Sequence, residues 1–180
     1  MGITHSWDIH IGLELYNIYQ DAERNKYSAG YGTTTIRLKH NFWGNDGKSK
    51  TGFGMIPYVT FLSGDPTDSD IVYGVGFPFL YHLSGKYDLG AQPQFDFILD
   101  GNGNHKLSYF QTVVIGGELI GELDFFLEAL AVFTKQQNQF LIDGGLVYNI
   151  SPNAKADIAT NLGLTKTSPA RIYLGFSFRL

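Results

Sequence analysis

The last eleven residues carry the pattern that indicates the fold: Ala170-Arg-Ile-Tyr-Leu-Gly-Phe-Ser-Phe-Arg-Leu180. Side chains of a β-strand alternate between its two faces with a period of two. One face of this segment therefore carries only large apolar side chains: Ile172, Leu174, Phe176, Phe178 and Leu180. The other face carries the polar and small residues: Arg171, Tyr173, Gly175, Ser177 and Arg179. The alternation predicts a terminal β-strand that is apolar on one side.

A strand at the end of a chain leaves one hydrogen-bonding edge that needs a partner. The first strand is the natural partner, and pairing with it would close the sheet into a barrel. The segment is similar to the terminal strands of bacterial outer-membrane barrels, which alternate in this way and end in aromatic residues. A soluble lipocalin-type barrel also alternates, with its apolar face turned inward, and is the alternative.

Composition narrows the class of protein. The 180 residues suit a single domain spanning 1–180, and the 15% aromatic content and 22 glycines fit a strand-rich chain with tight turns and aromatic girdles. The net charge of -4 gives no basic face for nucleic acid. Zero cysteines exclude disulfides and thiolate metal sites, and the five histidines show no metal-ligand spacing. No cofactor is therefore expected.

Hydropathy excludes one kind of membrane protein only. No run of about twenty apolar residues is present, so the sequence predicts no transmembrane helix, whereas barrel strands alternate and score near neutral. The start, Met1-Gly2-Ile3, lacks the basic and apolar regions of a signal peptide. An outer-membrane protein needs such a peptide for export, so Met1-Gly2 is expected to begin a mature or recombinant form.

Strand-like runs recur roughly every fifteen to eighteen residues between turn-forming clusters. About thirteen residues at about 3.3 Å each, tilted by about 45°, rise about 30 Å, the thickness of a bilayer's hydrocarbon core. The sequence predicts ten strands, at Trp7–Gln20, Tyr27–Trp43, Lys50–Leu62, Asp70–His82, Lys86–Asp100, Lys106–Gly117, Glu122–Thr134, Gln139–Ile150, Ala154–Thr165 and Arg171–Leu180.

The connections alternate between long and short. Those after odd-numbered strands are longer and polar, and those after strands four, six and eight are tight: Leu83–Gly85, Glu118–Gly121 and Ser151–Asn153. Short periplasmic turns and longer outer loops are typical of outer-membrane barrels. The exception is Gly44–Ser49, a longer connection on the predicted periplasmic side.

The faces of the predicted strands favour the membrane barrel. Ten strands of bulky apolar side chains would overfill a small barrel, whereas lipid sets no volume limit. The opposite faces carry charges in mid-strand, where a lumen can hydrate or pair them. The predicted fold is therefore all-β: a closed antiparallel up-and-down transmembrane β-barrel of about ten strands, with its apolar face outward.

Three prolines, Pro57, Pro78 and Pro93, fall inside three adjacent predicted strands, where proline removes a donor from the ladder. Pro78 is expected nearly opposite Pro93. One interpretation is that the prolines mark bulges, or positions whose backbone donor would have been unpaired in any case. The other is a locally opened wall through which an apolar solute could pass sideways into the bilayer.

Strand two and its turn read Thr35-Ile-Arg-Leu-Lys-His-Asn-Phe-Trp-Gly-Asn-Asp-Gly-Lys48, followed by Met55-Ile-Pro-Tyr-Val59. Gln94-Phe-Asp-Phe97 and Thr160-Asn-Leu-Gly-Leu-Thr165 come later. This combination resembles the outer-membrane transporter family named for the meta-pathway of phenol degradation, from about Trp7 onward. The resemblance implies an outer-membrane barrel and passage of apolar or aromatic small molecules. It also implies twelve strands in longer members, so that this chain is short by roughly a hairpin.

Pairing of the predicted strands brings charges together on the polar face. Arg37 is expected near His10, Lys39 near Asp8, and Glu128 near Asp143. Arg171 and Arg179 on strand ten would lie next to strand one, beside the basic pair. The lumen would then have a basic wall (strands ten, one and two) and an acidic wall (strands five to nine), which would set up a transverse field. Alternatively, the charges pair and plug the barrel. The candidate lining is Asp8, His10, Arg37, Lys39, Asp96, Glu128, Asp143, Asp157, Arg171 and Arg179.

An enzymatic alternative rests on His82-Leu-Ser84, whose spacing resembles the histidine and serine of a lipid A deacylase barrel. The serine lies in a Ser-Gly turn on the predicted periplasmic side, which favours a turn former over a nucleophile. No Gly-x-Ser-x-Gly motif is present.

The sequence therefore predicts a channel rather than an enzyme, located in the bacterial outer membrane. Its expected role is passive uptake of small molecules, with apolar or aromatic compounds as the candidate class. The expected partners are the lipid bilayer and these solutes, without nucleic acid, and the protein is expected to be a monomer. The alternatives are an outer-membrane lipid hydrolase and a plugged structural barrel without transport.

Overall fold

The structure is a computed structural model, and its regular secondary structure is entirely β in the residues that it describes. These are 4, 6–15, 17–21, 26–30, 32–44, 46–62, 71–83, 85–99, 105–135, 137–165 and 170–179. No helix long and apolar enough to span a bilayer occurs within these ranges.

Thirteen strands follow one another along the described residues. Their bounds are β1 Trp7–Leu13, β2 Asn17–Asp21, β3 Lys26–Gly30, β4 Thr33–Trp43, β5 Thr51–Leu62, β6 Ile71–Gly76, β7 Phe79–His82, β8 Tyr87–Leu99, β9 His105–Ile120, β10 Leu123–Phe133, β11 Asn138–Ser151, β12 Ala154–Gly163 and β13 Arg171–Phe178.

The main sheet has eleven strands: ten follow the order β1-β4-β5-β6-β8-β9-β10-β11-β12-β13, and β7 pairs with β5 and β8. Three of the predicted strands are interrupted rather than lost. The β1–β4 and β2–β3 pairs share one register, since Trp7 pairs with His40 and Asn17 with Gly30. The pair β6 and β7 likewise forms one line broken at Phe77 and Pro78. The prediction of about ten strands is confirmed.

Successive strands in this order pair antiparallel, which is the up-and-down arrangement that the sequence predicts. Within the described ladder, β1 and β13 stand at the two ends of the strand order. Closure by pairing of these two edges agrees with this arrangement and stays a prediction.

The boundaries differ from prediction at two tight turns, and at one of them Ser151, expected in the turn after strand eight, is the last residue of β11. Glu118, Leu119 and Ile120, expected in the turn after strand six, belong to β9. The register shifts between Leu123 and Asp124, so that one residue is bulged out of the β9 strand. Only Gly121 and Glu122 form the turn, and Gly121 has a φ of 58°, which favours glycine. A bulge followed by a two-residue turn replaces the four-residue turn expected from sequence.

One face of the sheet is apolar and exposed. In β13, Ile172 and Leu174 expose 80% and 79% of their surface, and Leu127 of β10 and Leu146 of β11 are also exposed. A soluble barrel with its apolar face turned inward would bury these side chains. The exposure therefore argues against the soluble alternative.

Aromatic side chains gather on this apolar face near both ends of the strands. At the end with the short turns, which we call the short-turn end, Trp7 contacts His40 with ring centroids 4.2 Å apart, and Trp43 contacts Phe53 at 5.0 Å. At the opposite end, which we call the long-loop end, the rings form a chain across β8 to β11. Its members are Phe95, Tyr109, Phe133 and Phe140, with successive centroids 5.2, 5.9 and 6.0 Å apart. Two such belts are typical of girdles at the membrane interfaces.

The three prolines lie side by side in the ladder without shifting its register. The amide of Gly54 donates to the carbonyl of Pro78 at 3.0 Å, and the amide of Phe77 donates to that of Pro93 at 2.9 Å. These bonds hold the β5 and β8 seams on either side of the break between β6 and β7. On the other side of β5, the ladder pairs Arg37 with Tyr58 and resumes two residues beyond Pro57. At each proline the ladder therefore lacks the one hydrogen bond that the proline nitrogen cannot donate, but the neighbouring strands remain hydrogen-bonded to each other.

The long loops at the long-loop end fall largely outside the described residues: 22–25, 63–70, 100–104 and 166–169 are among those not described. Four of the predicted loops therefore lie wholly or partly outside the described residues: Asp21–Lys26, Ser63–Ser69, Gly101–His105 and Lys166–Ala170. Lys135–Asn138 is described except for residue 136.

Candidate functional site

The candidate residues all fall on the polar face of the sheet, opposite the exposed apolar side chains. This follows from register, since residues paired across antiparallel strands share a face. Asp8 and His10 lie on β1, Arg37 and Lys39 on β4, Asp96 on β8, Glu128 on β10, Asp143 on β11, Asp157 on β12 and Arg171 on β13, while Arg179 directly follows β13.

The basic pairing expected between the first two predicted strands is the observed register. Asp8 pairs with Lys39, and His10 pairs with Arg37. Nη1 of Arg37 would come within 3.2 Å of a side-chain carbon placed on Gly12, so the guanidinium lies over that glycine. In the part of the chain that the structure describes, Arg37 forms no ion pair. Its charge is therefore available on the polar face.

Beside Arg37, a hydrogen-bonded network joins β5 to β8 across the intervening β6. The hydroxyl of Tyr58 donates to Oδ1 of Asp96, and Nε2 of Gln94 donates to the same tyrosine oxygen at 2.7 Å and to Asp96 at 3.0 Å. Gln92 extends the chain by donating to Oε1 of Gln94 at 2.9 Å. Gly74, which pairs with both Tyr58 and Asp96, leaves room for the tyrosine ring to cross β6.

Arg37 and this network line one cavity of about 350 Å³ on the polar face. Thr35 and Thr60, whose hydroxyl oxygens are 2.9 Å apart, form part of its floor. The cavity presents a cation, an anion, two amides and a phenol ring within one space, so it can contact a small solute through both hydrogen bonds and a ring face. The full lining is Thr33, Thr35, Arg37, Ile56, Tyr58, Thr60, Val72, Gln92, Gln94 and Asp96.

An acidic group forms on β10 and β11. Glu128 pairs with Asp143, as the sequence predicts. Oδ2 of Asp143 accepts a hydrogen bond from the hydroxyl of Tyr173 at 2.8 Å. Asp143 is only 6% exposed, and its other oxygen, Oδ1, has no hydrogen-bond partner in the described part of the chain. Asp157 lies on the next strand, among the carboxylates around Tyr173.

One predicted set of neighbours lies on two strands that are not paired with each other in the described ladder. Arg171 and Arg179 were expected beside the basic residues of the first strand, which requires β13 to lie against β1. The described ladder places these strands at its opposite ends. The single basic wall therefore depends on closure of the barrel and stays a prediction.

Three polar-face residues that build the site are not among the candidates from sequence: Tyr58, Gln94 and Tyr173. Their alternation in the strands places them on the polar face. Tyrosine, however, also occurs in aromatic girdles, so the residue type alone does not indicate a role on the polar face. The signal that finds them is register: Tyr58 pairs with Arg37, and Tyr173 lies two residues from Arg171.

The histidine of the enzymatic alternative has an acidic partner. Nδ1 of His82 lies 2.5 Å from Oδ1 of Asp88, and both side chains are substantially exposed at the short-turn end. Ser84 lies outside the described residues. Among the residues that are described, no group of three or more His, Cys, Asp or Glu side chains is placed to hold a metal ion.

Comparison with solved structures supports a porin architecture. The fold is similar to that of the NanC porin in its rhombohedral crystal form, with a TM-score of 0.61 and 10% sequence identity, over 97% of this chain and 98% of that chain. At this identity the likeness concerns the fold alone. No curated protein matches the sequence.

A family model matches almost the whole chain. The match covers residues 2–180 and is to the family described as "Putative MetA-pathway of phenol degradation". It agrees with the resemblance carried by the Trp43-Gly-Asn-Asp-Gly47 turn and the alternating terminal strand. The chain belongs to this family and has the all-β antiparallel architecture of an outer-membrane, porin-like β-barrel.

Proposed function

We propose that this protein is a channel of the bacterial outer membrane that lets small molecules enter passively through a polar lumen. The observation that carries the proposal is the division of the sheet into an exposed apolar face and a polar face with charges in mid-strand. In a porin-type barrel the apolar face meets lipid and the polar face lines the lumen. A polar wall of this kind supports a water path.

The solute class that the cavity suits best is an aromatic or apolar compound that carries a hydroxyl or an anionic group. The ring of Tyr58 can pack against an aromatic solute. Gln92 and Gln94 offer amide groups for a hydroxyl, and Arg37 offers a fork of donors for a phenolate or carboxylate. The family description, which names phenol degradation, supports the same class.

Charge on the two sides of the polar face is the proposed basis of selectivity. Arg37, Lys39 and His10 form the basic region, and Glu128 and Asp143 belong to the acidic region. Rings and patches of fixed charge tune which ions a pore admits, because the opposing sign is concentrated beside each patch. A solute crossing the lumen would be oriented by this transverse field.

Single-channel conductance of the refolded protein in a planar bilayer tests the channel. We expect steady ohmic steps, together with a shift of the reversal potential toward cation selectivity in Arg37→Glu and toward anion selectivity in Glu128→Lys. Lys48→Glu, which makes a similar charge change in an exposed turn, is the matched control and should leave selectivity nearly unchanged. Absence of steps from protein that is shown to be folded and inserted would instead indicate a plugged structural barrel.

Uptake into liposomes tests the solute class. Vesicles that contain the protein should admit a phenolic acid faster than a sugar of similar size, and Arg37→Gln should reduce the difference. If both solutes enter at equal rates in the wild type and the variant, the cavity does not select aromatic anions and the channel is a general one.

Lipid hydrolysis is a second candidate function, since the contact between His82 and Asp88 could orient the imidazole as a general base. We expect the folded protein to release no fatty acid or lysolipid from outer-membrane lipid. Release that is lost in both Ser84→Ala and Asp88→Asn, with folding retained, would show a hydrolase instead.

A further inference from the structure

Three oxygen-bearing side chains form a row across adjacent strands of the polar face. Asp143 of β11 pairs with Glu128 of β10 on one side and with Asn161 of β12 on the other. Cα atoms of directly paired residues lie about 4.5 to 5.5 Å apart, so the three side chains leave the sheet next to one another. The row thus brings two carboxylates and one amide oxygen to a single place.

Two oxygens of this row are buried and have no hydrogen-bond partner among the described residues. They are Oδ1 of Asp143, a residue that is only 6% exposed, and Oδ1 of Asn161. Leaving buried polar atoms unpaired is costly, and a carboxylate is costlier than a neutral group. In the described part of the chain, neither Glu128 nor Asp143 forms an ion pair. Within the described residues, no ion pair therefore balances the two carboxylates.

We propose that Glu128, Asp143 and Asn161 bind one calcium ion on the polar face. Two carboxylates balance a divalent charge, and carboxylate and amide oxygens are the ligands that a hard cation prefers. Calcium fits better than magnesium, because it accepts an irregular set of oxygens whereas magnesium demands a near-ideal octahedron. Water from the lumen would complete the coordination.

A neighbouring side chain already holds the central carboxylate in place. Tyr173 donates to Oδ2 of Asp143, which leaves Oδ1 of Asp143 for the ion. Outer contacts of this kind orient metal ligands and tune their affinity. Asn161 is the last oxygen-bearing residue of the row, because its partner on β13 is Arg171. The proposed ion therefore lies over Asp143, between Glu128 and Asn161.

Isothermal titration calorimetry with CaCl₂ tests the site on detergent-solubilised, refolded protein that has been treated with EDTA. The wild type should bind one calcium ion per chain. Glu128→Gln and Asn161→Ala should weaken binding by tenfold or more, and Tyr173→Phe, which removes an outer contact, by about tenfold. Asp124→Asn removes a negative charge from β10 four residues before Glu128 and is the matched control, with little change expected.

The result that overturns the proposal is equally definite. Folded wild-type protein that takes up no calcium at neutral pH would show that the carboxylates share a proton instead. Equal calcium affinity in the wild type, Glu128→Gln and Asn161→Ala would place any bound ion elsewhere. MgCl₂ bound as tightly as CaCl₂ would overturn the choice of calcium. Far-ultraviolet circular dichroism confirms folding of each variant, and both substitutions leave the buried Asp143 unchanged.

Discussion

The hydroxyl of Tyr173 reaches over a whole strand to donate a hydrogen bond to Asp143, with 2.8 Å between Oη and Oδ2. Tyr173 lies on β13 and Asp143 on β11, and the residue opposite the tyrosine on the intervening β12 is Ala159, only 4% exposed. A small residue at that position leaves the space that the ring crosses. Tyr58 reaches Asp96 across Gly74 in the same manner. Both contacts tie together three strands on the polar face.

Loss of the Tyr173 hydroxyl should destabilise the barrel. In Tyr173→Phe, a buried carboxylate loses its one hydrogen bond among the described residues, so we expect the free energy of unfolding to fall by about 1 to 3 kcal/mol. Urea unfolding in lipid vesicles measures this change. Tyr148→Phe alters an exposed ring on the apolar face and should cost less than about 0.5 kcal/mol. Equal effects in the two variants would contradict a stabilising role for the hydrogen bond to Asp143.

A side chain at Gly74 should disrupt the crossing of Tyr58. The added methyl group of Gly74→Ala would fall on the ring and hydroxyl of Tyr58, so the ring must move away from Asp96. We expect a loss of about 1 to 3 kcal/mol, the usual cost of overpacking, together with a change in conductance as the network rearranges. Gly85→Ala, where nothing lies within 4 Å of the added carbon, is the control and should be nearly neutral.

Restoring the donors at the three prolines tests the lateral opening. Pro78→Val and Pro93→Val each allow one more ladder hydrogen bond, to Gly54 and Phe77 respectively, and Pro57→Val allows one toward β4. Because the existing bonds already join these seams, we expect the triple variant to gain about 1 kcal/mol per restored bond and to take up apolar solutes at the wild-type rate. Uptake that falls while ionic conductance stays unchanged would instead establish a lateral route through this wall.

The turn after β4 should make stability depend on acid pH. The amides of Lys48 and Ser49 donate to Oδ1 of Asp46 at 3.0 and 2.9 Å, and the hydroxyl of Ser49 donates to Oδ2 at 2.9 Å. These donors favour the charged carboxylate and lower the pKa of Asp46 from 3.8 to about 2. Because the pKa is lower in the folded state, the stabilisation is complete above about pH 4 and is lost as the pH falls through about 2.

We therefore expect Asp46→Ala to be less stable than the wild type at pH 6, with the difference vanishing near pH 2. Asp46→Asn keeps an oxygen that can accept from the two amides and should recover part of the loss. Unfolding curves at both pH values measure the effect. A difference between wild type and Asp46→Ala that is the same at pH 6 and pH 2 would rule out the charged carboxylate as its source.

The faces of the strands could be predicted from sequence because strand alternation is a local property. Each residue's side is set by its position relative to its neighbours, so Arg37 and His10 fall on one face whatever the rest of the sheet does. Register between neighbouring strands was also predictable where short segments of polar residues mark the turn. This explains why the pairs of His10 with Arg37 and of Glu128 with Asp143 agree with the structure.

The turn before β10 could not be predicted in full from the local sequence. Gly121 marks a turn correctly, but the sequence does not show that Glu118 to Ile120 continue β9 with one residue bulged. A bulge is decided by how two strands fit together, since it changes the register of one strand against the other. Only the paired sheet contains that information.

By itself the sequence determined the class of fold, the number of strands, the division into a polar and an apolar face, and the family. These properties depend on composition and on a period of two, which survive without knowledge of distant contacts. Only the tertiary structure decided that Tyr58 and Tyr173 cross a strand to reach Asp96 and Asp143, and that Oδ1 of Asp143 is buried without a hydrogen-bond partner among the described residues. Those contacts depend on the register of three strands at once and on a small residue in the middle one, so no pattern along a single strand can specify them.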